Sequence, residues 1–378
     1  MLGEACEVFA DGDWVESKDQ SPEGIRLIQT GNVGEGVFKD RAEKARYISE
    51  ATFKRLRCTE IFEGDCLISR LPDPAGRSCI LPDTGERMIT AVDCTIIRFN
   101  PKHLIPEFFN YYTQSRDYLK NIDSETTGTT RKRISRSKLG EVQIPVPPLP
   151  EQQRIVGILD EAFDGIVTAK ANAAKNLQNA RALFESHLQS VFSERGEGWV
   201  ETTVDQISTN LDSKRIPITK SDRKTGEYPY YGASGIVDHV ADYIFEGDTL
   251  LVSEDGANLL MRSTPIAFSV TGKYWVNNHA HILKFEKMAT QRFVEFYLES
   301  IKLDEYIRGA AQPKLTQTAL NSIPIPIPKS VEDQGKIVES LESLQDETQH
   351  LATLYQRKLA ALAALKKSLL HQAFTGEL

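Results

Sequence analysis

Behind Gly128-Thr129-Thr130 the chain sets Arg131, Lys132 and Arg133 side by side, and Arg136 and Lys138 follow closely. Guanidinium, ammonium and hydroxyl donors on a backbone loosened by glycine are what phosphate binding and base-edge reading require. A basic run is ordinarily a solvated face. Here, however, Arg308-Gly309 and Gln312-Pro313-Lys314 stand at the matching place much later in the chain. A cation cluster that recurs with its glycine points to a nucleic-acid contact used twice.

Other candidates for chemistry are weaker. Gly31-Asn32-Val33-Gly34-Glu35-Gly36 is glycine-rich but out of order for a dinucleotide fingerprint, and it reads as a turn. Thr271-Gly272-Lys273 lacks the upstream glycine and the following hydroxyl of a phosphate loop. His279-Ala280-His281 places two imidazoles on one strand face behind Asn277-Asn278, with no carboxylate or thiol close in sequence to complete a ligand set. That cluster reads as structural or DNA-facing. Ser253-Glu254-Asp255-Gly256-Ala257-Asn258 reads as a hydrogen-bonded acidic turn. The five cysteines, Cys6, Cys58, Cys66, Cys79 and Cys94, form no close pair and read as reduced structural thiols. No residue is assigned a catalytic or metal-binding role.

The elements that would position these residues also come twice. Ile61-Phe62-Glu63-Gly64-Asp65 returns as Ile244-Phe245-Glu246-Gly247-Asp248. At one constant spacing, Gly128, Arg133, Ile134, Leu139, Ile144, Pro145, Pro147 and Glu151 are answered by Gly309, Lys314, Leu315, Leu320, Ile325, Pro326, Pro328 and Glu332. A period this long marks a duplicated domain rather than a solenoid. Each copy runs through strands such as Ile25-Arg26-Leu27-Ile28 or Asp248-Thr249-Leu250-Leu251-Val252, then a helix (106–119 in the first copy, 293–303 in the second). Ile144-Pro145-Val146-Pro147-Pro148-Leu149-Pro150 and Ile323-Pro324-Ile325-Pro326-Ile327-Pro328 cannot be helical and predict extended, semi-rigid exits.

Beyond each exit, apolar residues recur by threes and fours: Leu159, Ala162, Ile166, Ala173, Leu177, Ala180 and Leu188 in one stretch, Ile337, Leu341, Leu344, Leu351, Tyr355, Leu362, Leu365 and Leu369 in the other. Each predicts a helix of about 45 residues, roughly 65–70 Å long, which needs a partner helix. An antiparallel pair, acting as a spacer between two domains, is the simplest arrangement. The chain of 378 residues is 40% hydrophobic and 26% charged, ordinary for soluble domains, and no apolar run approaches the ~20 residues of a membrane span. Its N-terminus has no signal-peptide pattern, and a cytoplasmic location is expected. A net charge of −8 argues against binding nucleic acid by overall electrostatics, so contact falls to local patches or to partners.

This order of features resembles the specificity subunit of type I restriction-modification systems. The resemblance rests on two copies ending in Pro-x-Pro exits, on Glu151-Gln152-Gln153-Arg154-Ile155-Val156 and Glu332-Asp333-Gln334-Gly335-Lys336-Ile337-Val338, and on the ending Leu369-Leu370-His371-Gln372-Ala373-Phe374-Thr375-Gly376-Glu377-Leu378. Tyr230-Tyr231-Gly232-Ala233-Ser234-Gly235 with Gly256-Ala257-Asn258 is similar to one class of recognition domain. One departure is that Trp199-Val200 leads into the second copy, while the first opens on Leu2-Gly3-Glu4 without such a lead.

The resemblance implies an α+β chain of two target-recognition domains (1–149 and 197–329) with two long helices (150–196 and 330–378) as an antiparallel coiled-coil spacer. It implies a non-catalytic reader of double-stranded DNA, each domain taking one half of a bipartite asymmetric target. Two methyltransferase subunits and restriction/translocase subunits would be its partners. S-adenosylmethionine, ATP and Mg would reside on those partners. Expected DNA contacts are Gly128, Thr130, Arg131, Lys132 and Arg133 in the first copy and Gln312 and Lys314 in the second. Tyr231, Ser234, Asn258, Asn278 and His279 follow, with Lys18 and Asn32 in the first copy. The alternative is a stand-alone DNA-binding or coiled-coil scaffold protein with no modification partner.

Overall fold

A computed structural model describes residues 1–129, 132–309 and 312–378. The chain forms two compact units, Met1–Ala173 with Arg357–Leu378, and Ala174–Gln356.

In the first unit an antiparallel sheet runs in the order Cys6–Asp11, Cys94–Phe99, Cys66–Ser69, Ser78–Ile80. All four residues of Cys66–Ser69 are buried, so this strand is covered on both faces and its sequence does not alternate. A second sheet runs Gln20–Ser21, Tyr47–Ile48, Ile25–Ile28, Met88–Thr90, Glu60–Ile61, with Ile25–Ile28 and Met88–Thr90 parallel.

The second unit repeats the plan. Its antiparallel sheet runs Thr209–Asn210, Ala280–Lys284, Thr249–Ser253, Ala267–Val270. Its mixed sheet runs Gly235–Val240, Thr225–Gly232, Lys273–Val276, Phe245–Glu246, again with one parallel pair. The repeated Glu-Gly-Asp is the crossover from the edge of the mixed sheet to a central strand of the antiparallel one. Gly64 and Gly247 turn there at φ 83° and 99°, a region that favours glycine. Their N–H groups donate to Leu81 O and Gly272 O, each at 2.9 Å. The best-preserved repeat is thus a structural turn.

Two expectations change. The predicted helix over 106–119 is two helices, Pro106–Tyr112 and Arg116–Glu125, because the Ser115 side chain accepts from Tyr118 N–H and starts a new one. The second exit is not a bare connector: Pro324–Pro328 is a strand paired with Trp199–Thr203. Its prolines recur every second residue, so their missing N–H groups all fall on the unpaired side.

Helices Leu149–Ser193 and Val331–Thr375 are 45 residues each. The first starts one residue earlier than expected, with Pro150 in the first turn, where a missing N–H costs nothing. It stops at Ser193, short of 196, ahead of Gly196 and Gly198, the latter at φ 88°. Within each unit the helix segments run antiparallel. In the first, Arg154 donates to Leu378 O at 2.8 Å and Lys366 lies 4.8 Å from the Phe163 ring centroid. In the second, Asn176 donates to the Tyr355 hydroxyl at 3.2 Å, and Leu188 and Phe192 share a core with Val338 and Leu341. The buried stripe of the second helix differs from the predicted one. The predicted Leu341 is fully buried, but Gln334, Val338, Thr348, Ala352, Leu370 and Ala373 carry the rest of the burial, while Leu351 and Leu365 face solvent.

Gln152 and Gln334, to which the sequence motifs assigned no individual role, bolt each helix to its domain. Gln152 Oε1 accepts from Ile105 N–H at 3.0 Å, and its amide donates to His103 O and Pro147 O at 2.8 and 2.7 Å. Gln334 donates to Pro328 O at 2.7 Å and accepts from the Thr290 hydroxyl at 2.6 Å. The structural counterpart of Gln152 is therefore Gln334, so the helices are offset by one residue more than the match of Glu151 with Glu332 implied. The signal was a glutamine repeated just beyond each proline exit.

Candidate nucleic-acid interface

Each unit carries a small hairpin at the place of its cation cluster. In the first, Thr127 and Arg133 exchange both backbone hydrogen bonds at 2.9 Å, and Gly128 takes φ 103°. Ile134, fully buried, anchors the returning strand, and its N–H donates to Arg70 O at 3.2 Å. Ser135 then caps the short helix Arg136–Glu141. In the second, Ile307–Arg308 pairs with Lys314–Leu315, and Gly309 turns at φ 89°. A Cβ on Gly309 would lie 2.5 Å from Gln312 O, so glycine is required. Leu315 is the buried anchor, its N–H donates to Glu254 O at 2.8 Å, and Thr316 caps Gln317–Asn321. The repeated residues thus acquire roles as turn glycine, strand cation, core anchor and helix-packing leucine.

The cations are held in ion pairs. Lys132 meets Asp123 at 2.9 Å with both groups exposed, a contact that contributes little and yields readily to a phosphate. Arg133 meets Asp93 at 3.0 Å. Beneath it, buried Arg70 lies 3.2 Å from Asp11, which also sees Arg136 at 3.8 Å. Thr130 and Arg131 lie outside the described residues.

In the second unit, Lys314 Nζ is 3.0 Å from Glu254 and half exposed, while Gln312 is exposed. Glu254 also takes Arg215 at 2.6 Å. The two histidines part company. His279 is exposed and sits 2.9 Å from Asp255, whereas His281 is buried with Nδ1 2.5 Å from Asp212. The sequence offered these histidines no nearby carboxylate to complete a ligand set, but sheet pairing brings Asp212 and Glu254 to His281 with ligand atoms within 4.8 Å of one another. Their lone pairs are already taken by Arg215, Lys314 and the Ile282 N–H, at 2.9 Å from Asp212, so the trio is the heart of a salt-bridge network. Burial works to raise both carboxyls, but His281 and Arg215 at Asp212, and Arg215 and Lys314 at Glu254, outweigh it and hold both below the ordinary carboxylate range.

The remaining candidates divide. Asn278 and Ser234 are exposed, Ser234 at the tip between Thr225–Gly232 and Gly235–Val240. His279 joins the hairpin through Asp255, whose backbone bridges to Lys314. Tyr231 is spent on packing, its ring 6.0 and 5.9 Å from Phe268 and Tyr274. Asn258 holds its own turn through Ser263 and Thr264. Asn32 is buried, bound to Gln29 N–H and to the carbonyls of Lys39 and Asp40. Lys18 is exposed and pairs with Glu16 at 2.7 Å. Sequence reasoning missed Arg70, Asp93, Asp212 and Arg215, which carry no local motif. The cysteines are free, and burial pushes Cys6 and Cys79 up to about 12, leaving them protonated.

Two units of one fold, each presenting a cation on a glycine hairpin, define a duplicated recognition protein. Residues 2–176 and 196–357 both match the type I restriction modification DNA specificity domain, and the chain belongs to that family. It is similar to a putative type I restriction enzyme specificity subunit of Haemophilus influenzae, 36% identical over 141 residues, which cover 37% of this chain and 36% of that protein. The putative MjaX specificity subunit of Methanocaldococcus jannaschii is 23% identical over 363 residues, 89% of this chain and 83% of that one.

The fold is similar to a chain from work on complex assembly and conformational transition of the type I R-M system, with a TM-score of 0.78 and 17% identity over 100% of this chain and 97% of that one. It is also similar to the HsdS subunit of Thermoanaerobacter tengcongensis, with a TM-score of 0.66 and 18% identity over 100% and 96%. Among the described residues, no helix is long and apolar enough to cross a membrane.

Proposed function

We propose that this chain is the DNA-reading, non-catalytic subunit of a type I restriction-modification complex, each unit reading one half of a bipartite asymmetric double-stranded target. The observation that carries the reading is the hairpin built twice, with Gly128 and Arg133 in one unit and Gly309 and Lys314 in the other on the same scaffold. The long helices set the unread gap and dock two methyltransferase subunits, and restriction/translocase subunits join through them. Val167, Leu183, Leu354 and Leu365 support a docking role, being large apolar side chains that these helices leave in solvent. S-adenosylmethionine, ATP and Mg belong to the partners, and the complex works in the cytoplasm. Methylome sequencing of cells with and without the gene tests this. A bipartite methylated motif that depends on the gene is expected, and its absence in cells expressing the partner subunits overturns the reading.

A further inference from the structure

We propose that His281 is a buried imidazolium whose charge keeps Lys314 free to take a DNA phosphate. This rests on the DNA reading above and adds a charge-supplying residue that touches no DNA itself. His281 is 1% exposed, with Nδ1 2.5 Å from Asp212 Oδ2 and Nε2 2.8 Å from Leu315 O. A backbone carbonyl only accepts, so Nε2 carries a proton. Asp212 is ringed by donors, with Ile282 N–H at 2.9 Å, Asn210 Nδ2 at 3.3 Å and Arg215 at 3.6 Å, so it is the ionised acceptor and Nδ1 also carries a proton. With both ring nitrogens protonated against an ionised Asp212, the Asp212–His281 pair is neutral as a whole.

The consequence falls on Lys314. With Asp212 balanced by His281, Arg215 balances Glu254 at 2.6 Å, and Lys314, 3.0 Å from Glu254 with 51% of its side chain in solvent, is the surplus cation. The neighbouring acid, Asp255, directs both oxygens to His279 Nδ1 at 2.9 Å. The hairpin base of the first unit has the same balance. Arg70, Arg133 and Arg136 face Asp11 and Asp93, three cations on two carboxylates. Among the groups in direct contact, Arg215, Lys314 and His281 on Asp212 and Glu254, the second unit reaches that balance only with His281 charged. One half of the molecule has this charge fixed by arginines, and the other draws it from a histidine.

Two measurements on the full chain test this. In a sample with labelled histidine nitrogens, the His281 signals, assigned by their loss in His281→Gln, should both be of the protonated type under the conditions of the binding assay. A neutral ring there overturns the proposal. The second is the salt dependence of binding to a mixed-sequence DNA duplex. Lys314→Ala should lower the slope of log affinity against log salt by about 0.9, the share of one phosphate contact. His281→Gln should lower it equally, because Lys314 is then drawn into balancing the carboxylates.

Adding Asp212→Asn to His281→Gln removes the uncompensated negative charge and should restore the wild-type slope, which no purely structural role of His281 would do. A double variant that is folded by circular dichroism yet not restored, or a His281→Gln slope equal to wild type, overturns the proposal. Wild-type chain that binds no duplex while its ring stays charged instead overturns the DNA reading on which the proposal rests.

Discussion

Gln152, itself fully buried, holds three backbone groups, two carbonyls and one N–H, at the point where a helix leaves its domain. Gln152→Ala removes all three hydrogen bonds, and losing the partner of a buried polar group costs about 1–3 kcal/mol. We expect Gln152→Ala to lose stability in that range by urea denaturation, with Gln334→Ala behaving alike. An effect near zero would mean that the helix starts are held by apolar packing instead. Arg133 belongs at the same scale. Its partner Asp93 is a carboxylate that a phosphate can replace, so Arg133→Ala should weaken binding to every duplex and lower the salt slope by about one unit. Loss of discrimination at a single base pair with an unchanged slope would assign Arg133 to base reading.

At the scale of elements, three strands and a hairpin converge on one charge network, and this gives the second unit a pH dependence. Asp212 follows Thr209–Asn210, Glu254 follows Thr249–Ser253, His281 lies in Ala280–Lys284, and Lys314 opens the hairpin's return strand. Both carboxyls are depressed in the folded chain. Their stabilisation is therefore fully present above the unfolded carboxyl values of ~3.9 and ~4.3, and is lost as pH falls through the lower folded values. Thermal melting followed by circular dichroism should show the wild type losing stability on acidification below about pH 4 more steeply than the Asp212→Asn, Glu254→Gln double variant. Parallel curves for the two would show that the network does not couple folding to protons.

At the scale of the whole molecule, the spacer role makes a geometric prediction. Four residues inserted near Asn176 lengthen that helix by about 6 Å and turn it roughly 40° beyond a full rotation, so the buried stripe nearly keeps its register. The same two half-sites should then be methylated with the gap longer by one or two base pairs, at ~3.4 Å each. Two inserted residues rotate the stripe by roughly 200° and should abolish methylation. A four-residue variant active on the original spacing would show that the helices are not the ruler.

Some of this was legible in the residues alone, wherever structure depends on near neighbours. Gly128 and Gly309 announce positive φ, alternating prolines exclude helix over Pro324–Pro328, and apolar residues spaced by threes and fours mark two long helices. Duplication was legible because each copy repeats those local rules. The break at Ser115 was hidden because the aromatic spacing continues across it while one hydroxyl restarts the helix. Tertiary structure alone decided the charge network. Asp212, Glu254, His281 and Lys314 lie far apart in the chain and meet only because Ala280–Lys284 pairs with both Thr209–Asn210 and Thr249–Ser253. Coulomb energy depends on distance in space, and no local pattern encodes the strand order that sets it. The same holds for which candidates remained available: Asn32 and Tyr231 are polar residues in turn-like sequence, and folding placed one in a buried turn and the other against Phe268 and Tyr274.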